Sequence, residues 1–206
     1  MKGFDDAGGY VTRAFWEYAP MGRPHLYPPL LHVWMWMLYK AGLGAIDVGR
    51  LVDCISLPAL LGAWYFALSR LYSSRTAFWA LLLFASAYSG ALASVTLSAF
   101  TLAFFLGILA LLEAESGHWK RSSLLLALCF YTHTLGAGLF LFTMGLNAWM
   151  APEKRAAYLR SAFVGVLLAL PFLLYQVQFR DYFAFVKVKE NNLLRLDLAA
   201  YALSVP

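Results

Sequence analysis

Long apolar runs separated by short basic clusters dominate most of the chain. The run from Leu51 to Leu68 contains Pro58, and the run from Ser161 to Val177 contains Pro171. About 20 apolar residues cross a hydrocarbon core of about 30 Å, and an internal proline kinks a helix. Both runs are therefore predicted to be kinked spanning helices. Asp53, near the start of the first run, is predicted to stabilise a helix N-terminus, with a catalytic role as the alternative.

Three basic clusters divide the remaining apolar sequence: Arg70 with Arg75, Lys120 with Arg121, and Lys154 and Arg155 with Arg160. Short basic loops favour the cytoplasmic side. If all three clusters share that side, each stretch between them crosses the membrane an even number of times. Thr76–Trp119 and Ser122–Glu153 are then helical hairpins, which turn near residues 88–96 and 132–136. The alternative is one long helix between the last two clusters.

The pattern predicts one all-α domain, a polytopic transmembrane helical bundle that covers residues 1–206. Residues 1–50 form an external loop with a juxtamembrane helix, and residues 51–178 form about six membrane helices. Residues 179–197 form an external amphipathic segment, and residues 198–206 begin a further helix. The chain opens in a polar loop and ends in an apolar run, so we expect the module to be truncated at both ends.

An amphipathic helix is predicted to begin at Pro28-Pro29, because proline suits the first turn of a helix. The run that continues to Tyr39 is about 18 Å long, too short to cross a membrane. We therefore expect it to lie at the membrane interface, although a tilted span over residues 27–44 is an alternative. Its polar stripe is His32, Trp36 and Lys40, and its apolar stripe is Leu30, Val33, Met37 and Leu38.

Composition supports an integral membrane protein in contact with the lipid bilayer. Apolar residues make up 62% of the chain and charged residues 13%, and the mean hydropathy is +0.65. The net charge of +5 follows membrane topology rather than an anionic partner, so nucleic acid is not expected as a partner. Cys54 and Cys129 both lie in apolar runs, which indicates neither a disulfide framework nor a metal cluster.

The first forty residues carry a recognisable pattern. An acid is followed four residues later by an aromatic residue, then by Arg-Ala, a glycine, and a Tyr-Pro-Pro that opens an apolar helix. These are Asp6, Tyr10, Arg13-Ala14, Gly22 and Tyr27-Pro28-Pro29, and a Thr-His pair, Thr132-His133, follows later. The pattern resembles the first external loop of the GT-C superfamily of membrane glycosyltransferases. The resemblance is to prokaryotic relatives of the protein O-mannosyltransferases, aminoarabinose transferases and oligosaccharyltransferases.

The resemblance implies transfer of a sugar from a polyprenyl-phosphate-linked donor to a hydroxyl or amide acceptor. The site would lie on the extracytoplasmic face of the plasma membrane, and one carboxylate would act as general base. The resemblance selects Asp6 for this role, with Asp5 as the reserve. Neighbouring residues of a helix point about 100° apart, so the two cannot face one atom together. From the residues alone, Asp6 could equally be a solvated helix cap.

Six residues are candidates for substrate binding: Tyr10, Arg13, His25, Tyr27, His133 and Arg180. For Arg13, His25 and Arg180, as for Arg23, the alternative is an ordinary charge at the membrane interface. His133 is the most specific of these, because an ionisable side chain deep in an apolar stretch tends to face a cavity or a substrate path. In the family, a basic residue after Thr at this turn meets the lipid phosphate. A cationic His133 is therefore expected there, and a histidine that bonds a neighbouring helix is the alternative.

No metal cofactor is expected. Oligosaccharyltransferases use an acid at the external end of the first hairpin for a divalent metal, whereas residues 94–98 here contain no acid. The rival class is a non-enzymatic polytopic protein. A transporter part would repeat charged residues or helix breaks at matching midplane positions, and none repeat here. A degenerate paralogue that only binds polyprenyl lipid remains the second alternative.

Overall fold

A computed structural model describes Phe4, Gly8 and residues 13–14, 23–25, 27–86 and 99–180, and this part of the chain is helical apart from one two-residue strand pair. The α-helices are α1 (Leu30–Lys40), α2 (Ala45–Leu71), α3 (Ser74–Ser86), α4 (Ala99–Glu115), α5 (Trp119–Phe130), α6 (Thr134–Met150) and α7 (Arg155–Gln178), with a 3₁₀ turn at Pro152–Lys154. Strand β1 (Arg13–Ala14) pairs antiparallel with β2 (Arg23–Pro24). The predicted all-α class is therefore correct.

Close contacts group the chain into two compact units. The first contains residues 1–10 and 27–171, and it holds α1 to α6 with most of α7. The second contains residues 11–26 and 172–206. Within the second unit, the β1–β2 pair places Arg13 opposite Pro24.

Helix α1 presents a different apolar face from the predicted one. Leu31 and Met35 are buried, and Trp34 and Leu38 pack against them with i, i+3, i+4, i+7 spacing. Of the predicted apolar stripe, Leu38 packs on this face, whereas Met37 is 59% exposed. The helix also ends at Lys40, before a glycine with φ of +103° in the following turn, so one continuous helix over residues 27–44 is wrong.

Helix α2 begins well before the predicted start of the run at Leu51. Gly44 is its N-cap, and Asp47 lies in the first turn. The Oδ2 atom of Asp47 would be 2.7 Å from a Cβ atom built on Gly44, so this carboxylate lies beside the helix start, where the dipole favours it. Asp53 lies in the third turn of α2. The interpretation of Asp53 as a residue of the helix N-terminus is therefore wrong.

The core of the first unit is built by close packing of α4, α5 and α6. The ring of Phe140 lies over Gly107, where a Cβ atom would be 2.1 Å from it. Ser122 and Cys129 of α5 are buried and donate to backbone carbonyls of α4 at 2.8 and 3.1 Å. Small residues and side-chain hydrogen bonds of this kind let apolar helices approach closely.

The sequence between the last two basic clusters forms two helices rather than one. Helix α5 ends at Phe130, helix α6 begins at Thr134, and the turn between them is Tyr131–His133. The break thus overlaps the predicted turn at residues 132–136, but it begins one residue earlier and ends three residues earlier. The predicted turn of the other hairpin, near residues 88–96, lies outside the described residues.

Two stretches of the described chain are long and apolar enough to cross a membrane: Ala45–Leu71 and Pro152–Gln178. Only 24% and 28% of their most apolar windows are buried within the molecule, whereas the core helix of a soluble protein is mostly buried. Large apolar side chains lie on their surfaces, among them Phe163, which is 70% exposed. Exposed apolar surface of this kind is typical of helices that face lipid.

Candidate functional site

The Pro-Pro helix start and the turn before α6 meet in space. The backbone N–H of Leu30, the first residue of α1, donates to the carbonyl of Tyr131 at 2.8 Å. The first N–H groups of a helix have no acceptor within the helix, so this carbonyl satisfies one of them. The bond places Tyr27-Pro28-Pro29 next to Thr132-His133. We call this region the α1–turn site, made up of Tyr27, His32, Phe100, Tyr131 and His133.

His133 is the N-cap of α6. Its backbone is extended, and its Nδ1 atom accepts a hydrogen bond from the N–H of Gly136 at 3.1 Å. The ring also meets Phe100 edge-on, with centroids 5.2 Å apart. Accepting the bond requires the lone pair on Nδ1, so the ring that makes this cap is neutral and carries its hydrogen on Nε2. The sequence predicted a cationic His133, with a hydrogen bond to a neighbouring helix as the alternative. A neutral ring that caps its own helix is neither of these.

The turn around His133 is held tightly by its neighbours. Thr132 is fully buried, and its hydroxyl donates to the carbonyl of Leu128 at 2.7 Å. A Cβ atom on Gly136 would be 3.3 Å from that of Ala103, so the first turn of α6 lies directly against α4. Thr132 therefore anchors the turn, and His133 is the member of the Thr-His pair that can meet a ligand.

The other side of the site is formed by Tyr27 and His32. Their rings meet edge-on with centroids 5.9 Å apart. Tyr27 is 56% exposed and His32 is half-buried. The sequence assigned His32 only to the polar stripe of an interfacial helix. The signal in the sequence that could have identified His32 as a site residue is its position five residues after Tyr27, on the other side of the helix start.

The remaining predicted site residues fall in other places. Asp5, Asp6 and Tyr10 lie outside the described residues. Arg13 lies in β1, His25 is half-buried and Arg180 is exposed. These three belong to the second compact unit, whereas Tyr27 and His133 belong to the first. Of the predicted residues, the structure brings together the segments that carry Tyr27 and His133.

A cluster of charged side chains lies at the opposite end of α5, about 18 Å from the turn. Glu115 accepts hydrogen bonds from the Lys154 ammonium and the Tyr158 hydroxyl. Burial raises the pKa of Glu115, but these bonds and the ammonium charge outweigh it, so the pKa lies below its usual range. The cluster ties the α4–α5 turn to the 3₁₀ turn before α7. A shallow cavity of about 250 Å³ beside it is lined by residues 117–121.

Within the ranges that the structure describes, no group of three or more His, Cys, Asp or Glu side chains could hold a metal ion. Comparison of the chain with protein-family models, with curated proteins and with solved structures finds no match.

Proposed function

We propose that the chain is the membrane module of a GT-C type glycosyltransferase. It would move a sugar from a polyprenyl-phosphate donor to a hydroxyl or amide acceptor at the extracytoplasmic membrane face. The observation that carries the proposal is the hydrogen bond from Leu30 to Tyr131. It joins the two segments that bear the resemblance, the Tyr-Pro-Pro start of α1 and the Thr-His turn, although they are far apart in sequence.

The donor phosphate would be bound by His133 in its neutral form. With Nδ1 engaged by Gly136, the Nε2–H group is the donor available to a phosphate oxygen. A hydrogen bond to an ionised acceptor is roughly twice as strong as a neutral one. The N-terminus of α6 adds a positive dipole on the same side. The half-exposed Tyr27 supplies a further hydroxyl near the start of α1.

The transfer step would need one general base, and the resemblance assigns this role to Asp6. The acceptor atom attacks the anomeric carbon, and Asp6 takes its proton as the new bond forms. The bond from the anomeric carbon to the phosphate oxygen breaks at the same time, so polyprenyl phosphate departs with the bonding electrons. Attack from the opposite side inverts the anomeric centre. Donors to the departing phosphate, such as His133, stabilise the charge that develops on it.

The proposed membrane placement follows from the two apolar stretches and from the charged ends. Helix α2 and the stretch from Pro152 to Gln178 would cross the bilayer, with α4, α5 and α6 packed beside them. The charged cluster around Glu115 would face the cytoplasm, as basic loops do. The Tyr131–His133 turn would then point toward the other face. Because α5 is only about 18 Å long, this turn would lie below the outer surface, within reach of a lipid phosphate.

Replacement of Asp6 by Asn tests the proposed reaction in the full-length protein. The amide keeps the shape of the side chain but cannot accept the proton, so transfer should fall by about 10²-fold or more. Asp5→Asn is the matched control and should be milder. Transfer from a radiolabelled polyprenyl-phosphate sugar and binding of the unlabelled donor are measured for both variants. If neither change slows transfer, the catalytic assignment is wrong and a lipid-binding protein without activity is favoured.

A further inference from the structure

Two charged side chains lie on the outward side of α2. Val48 and Val52 are fully buried in the core formed with α1, whereas Arg50 and Asp53 are exposed. Neither charged residue forms an ion pair within the ranges 27–86 and 99–180 that surround them in the structure. Cys54 is also exposed, directly after Asp53. We call the surface of Arg50, Asp53 and Cys54 the Arg50–Asp53 face.

Asp53 lies at hydrocarbon depth if α2 crosses the membrane. The helix is about 40 Å long and Asp53 is about 12 Å from its start, at 1.5 Å per residue. A centred hydrocarbon core of about 30 Å begins about 5 Å from the start. Arginine can extend its long side chain toward the headgroups, whereas the aspartate side chain is too short to do so. Acyl chains are therefore an unsuitable environment for this carboxylate.

A backbone acceptor adds to the polar character of the same face. Pro58 has no N–H group, so it cannot donate the usual helical hydrogen bond to the carbonyl of Cys54. Pro58 and Cys54 are both exposed. Polar groups within a span are usually satisfied by a neighbouring helix. The outward face thus carries a carboxylate and a freed carbonyl that need donors, together with an arginine that can supply them.

We propose that the Arg50–Asp53 face packs against the same face of a second copy of the chain. Arg50 and Asp53 are three residues apart on one side of the helix, so one face carries both signs of charge. In a two-fold contact between parallel helices, Arg50 of each copy pairs with Asp53 of the other. Two copies thereby satisfy both charges without a third group. The inference rests on the proposed membrane placement of α2 and is independent of sugar transfer.

The two cysteines allow a direct test in native membranes. Cys54 lies on the proposed contact, whereas Cys129 is fully buried and bonded to α4. Oxidation with copper phenanthroline should give a covalent dimer at twice the mass of the chain, and reduction should reverse it. Cys54→Ser should abolish the dimer, and Cys129→Ser should leave it unchanged. A cross-linked product of any other mass, or no product, would overturn the proposal.

Charge reversal tests whether Arg50 and Asp53 hold the contact. Arg50→Glu and Asp53→Arg should each lower the cross-linked fraction about fivefold or more, because each places like charges together. The double variant with both changes restores opposite pairs and should recover the dimer. Unchanged cross-linking in the single variants would refute the pairing. Carbonate extraction is run in parallel: release of the protein would overturn the membrane placement as well, whereas a retained monomer would overturn only the contact.

Discussion

The two ring nitrogens of His133 have separate roles at the residue scale. Nδ1 caps helix α6, and Nε2 is the proposed donor to the lipid phosphate. The cap could not be read from the sequence, because Ser, Thr, Asp and Asn are the residues that patterns indicate at this position. The ionisable residue in an apolar stretch was the signal that singled out His133. That signal identified the residue without identifying its protonation state.

Asparagine at position 133 separates the two roles of the histidine. Asparagine caps helices well but lacks the ring N–H, whereas alanine provides neither function. His133→Ala should lower stability by about 1 kcal/mol, and His133→Asn should change it little. Both variants should weaken donor binding about tenfold, which corresponds to about 1.4 kcal/mol. Melting temperature and affinity for a polyprenyl-phosphate donor are measured in detergent. Wild-type affinity in His133→Asn would reduce His133 to a helix cap.

Helix boundaries and faces illustrate what the sequence could predict at the element scale. The break at Tyr131–His133 was predictable, because polar residues interrupt an apolar stretch that lies between two basic clusters expected on the same side of the membrane. The inward face of α1 was not predictable, because apolar residues occur on nearly every side of that helix. Contact with Val48 and Val52 of α2 selects Leu31 and Met35 instead.

The start of α2 was also misjudged, for a related reason. The predicted run begins at Leu51, directly after the charged Arg50, since charges flank membrane helices. A helix can extend beyond the hydrocarbon core as long as its backbone hydrogen bonds can form. Here α2 begins after Gly44, and Asp47 lies in its first turn. The position where a helix leaves the hydrocarbon core is therefore not the position where the helix itself begins. Asp53 consequently changes from a residue of the helix N-terminus to an exposed charge within the helix.

The crossing of α4 and α6 depends on Gly107. A methyl group there would meet the Phe140 ring, which is itself buried and packed edge-on against Phe104. Gly107→Ala should therefore destabilise the fold by about 1–3 kcal/mol through overpacking. Gly145→Ala is the matched control, since nothing lies within 4 Å of that position, and it should stabilise α6 by up to about 1 kcal/mol. Unfolding is followed in detergent, and equal stability of the two variants would refute the packing argument.

At the scale of the whole molecule, the candidate binding residues and the charged cluster lie at opposite ends of the same helix. The α1–turn site lies at one end of α5, and the Glu115 cluster with its basic neighbours lies at the other. The sequence predicted that the last two basic clusters share a side, and the contact between Glu115 and Lys154 joins the two loops that carry them. The meeting of Tyr-Pro-Pro with the Thr-His turn was not predictable from spacing, because it depends on how α1 packs. That the Glu115 end faces the cytoplasm and the α1–turn site faces the extracytoplasmic side is part of the proposal.

Photolabelling by the donor lipid tests the central claim most directly. A polyprenyl phosphate with a photoreactive group next to the phosphate is irradiated with the full chain in membranes, and labelled peptides are mapped by mass spectrometry. Labels are expected within residues 27–32 and 131–136. An excess of unlabelled polyprenyl phosphate should remove them, and neutral polyprenol should not. Labelling that avoids both segments, or that neutral polyprenol removes equally well, would contradict a phosphate site at the α1–turn junction.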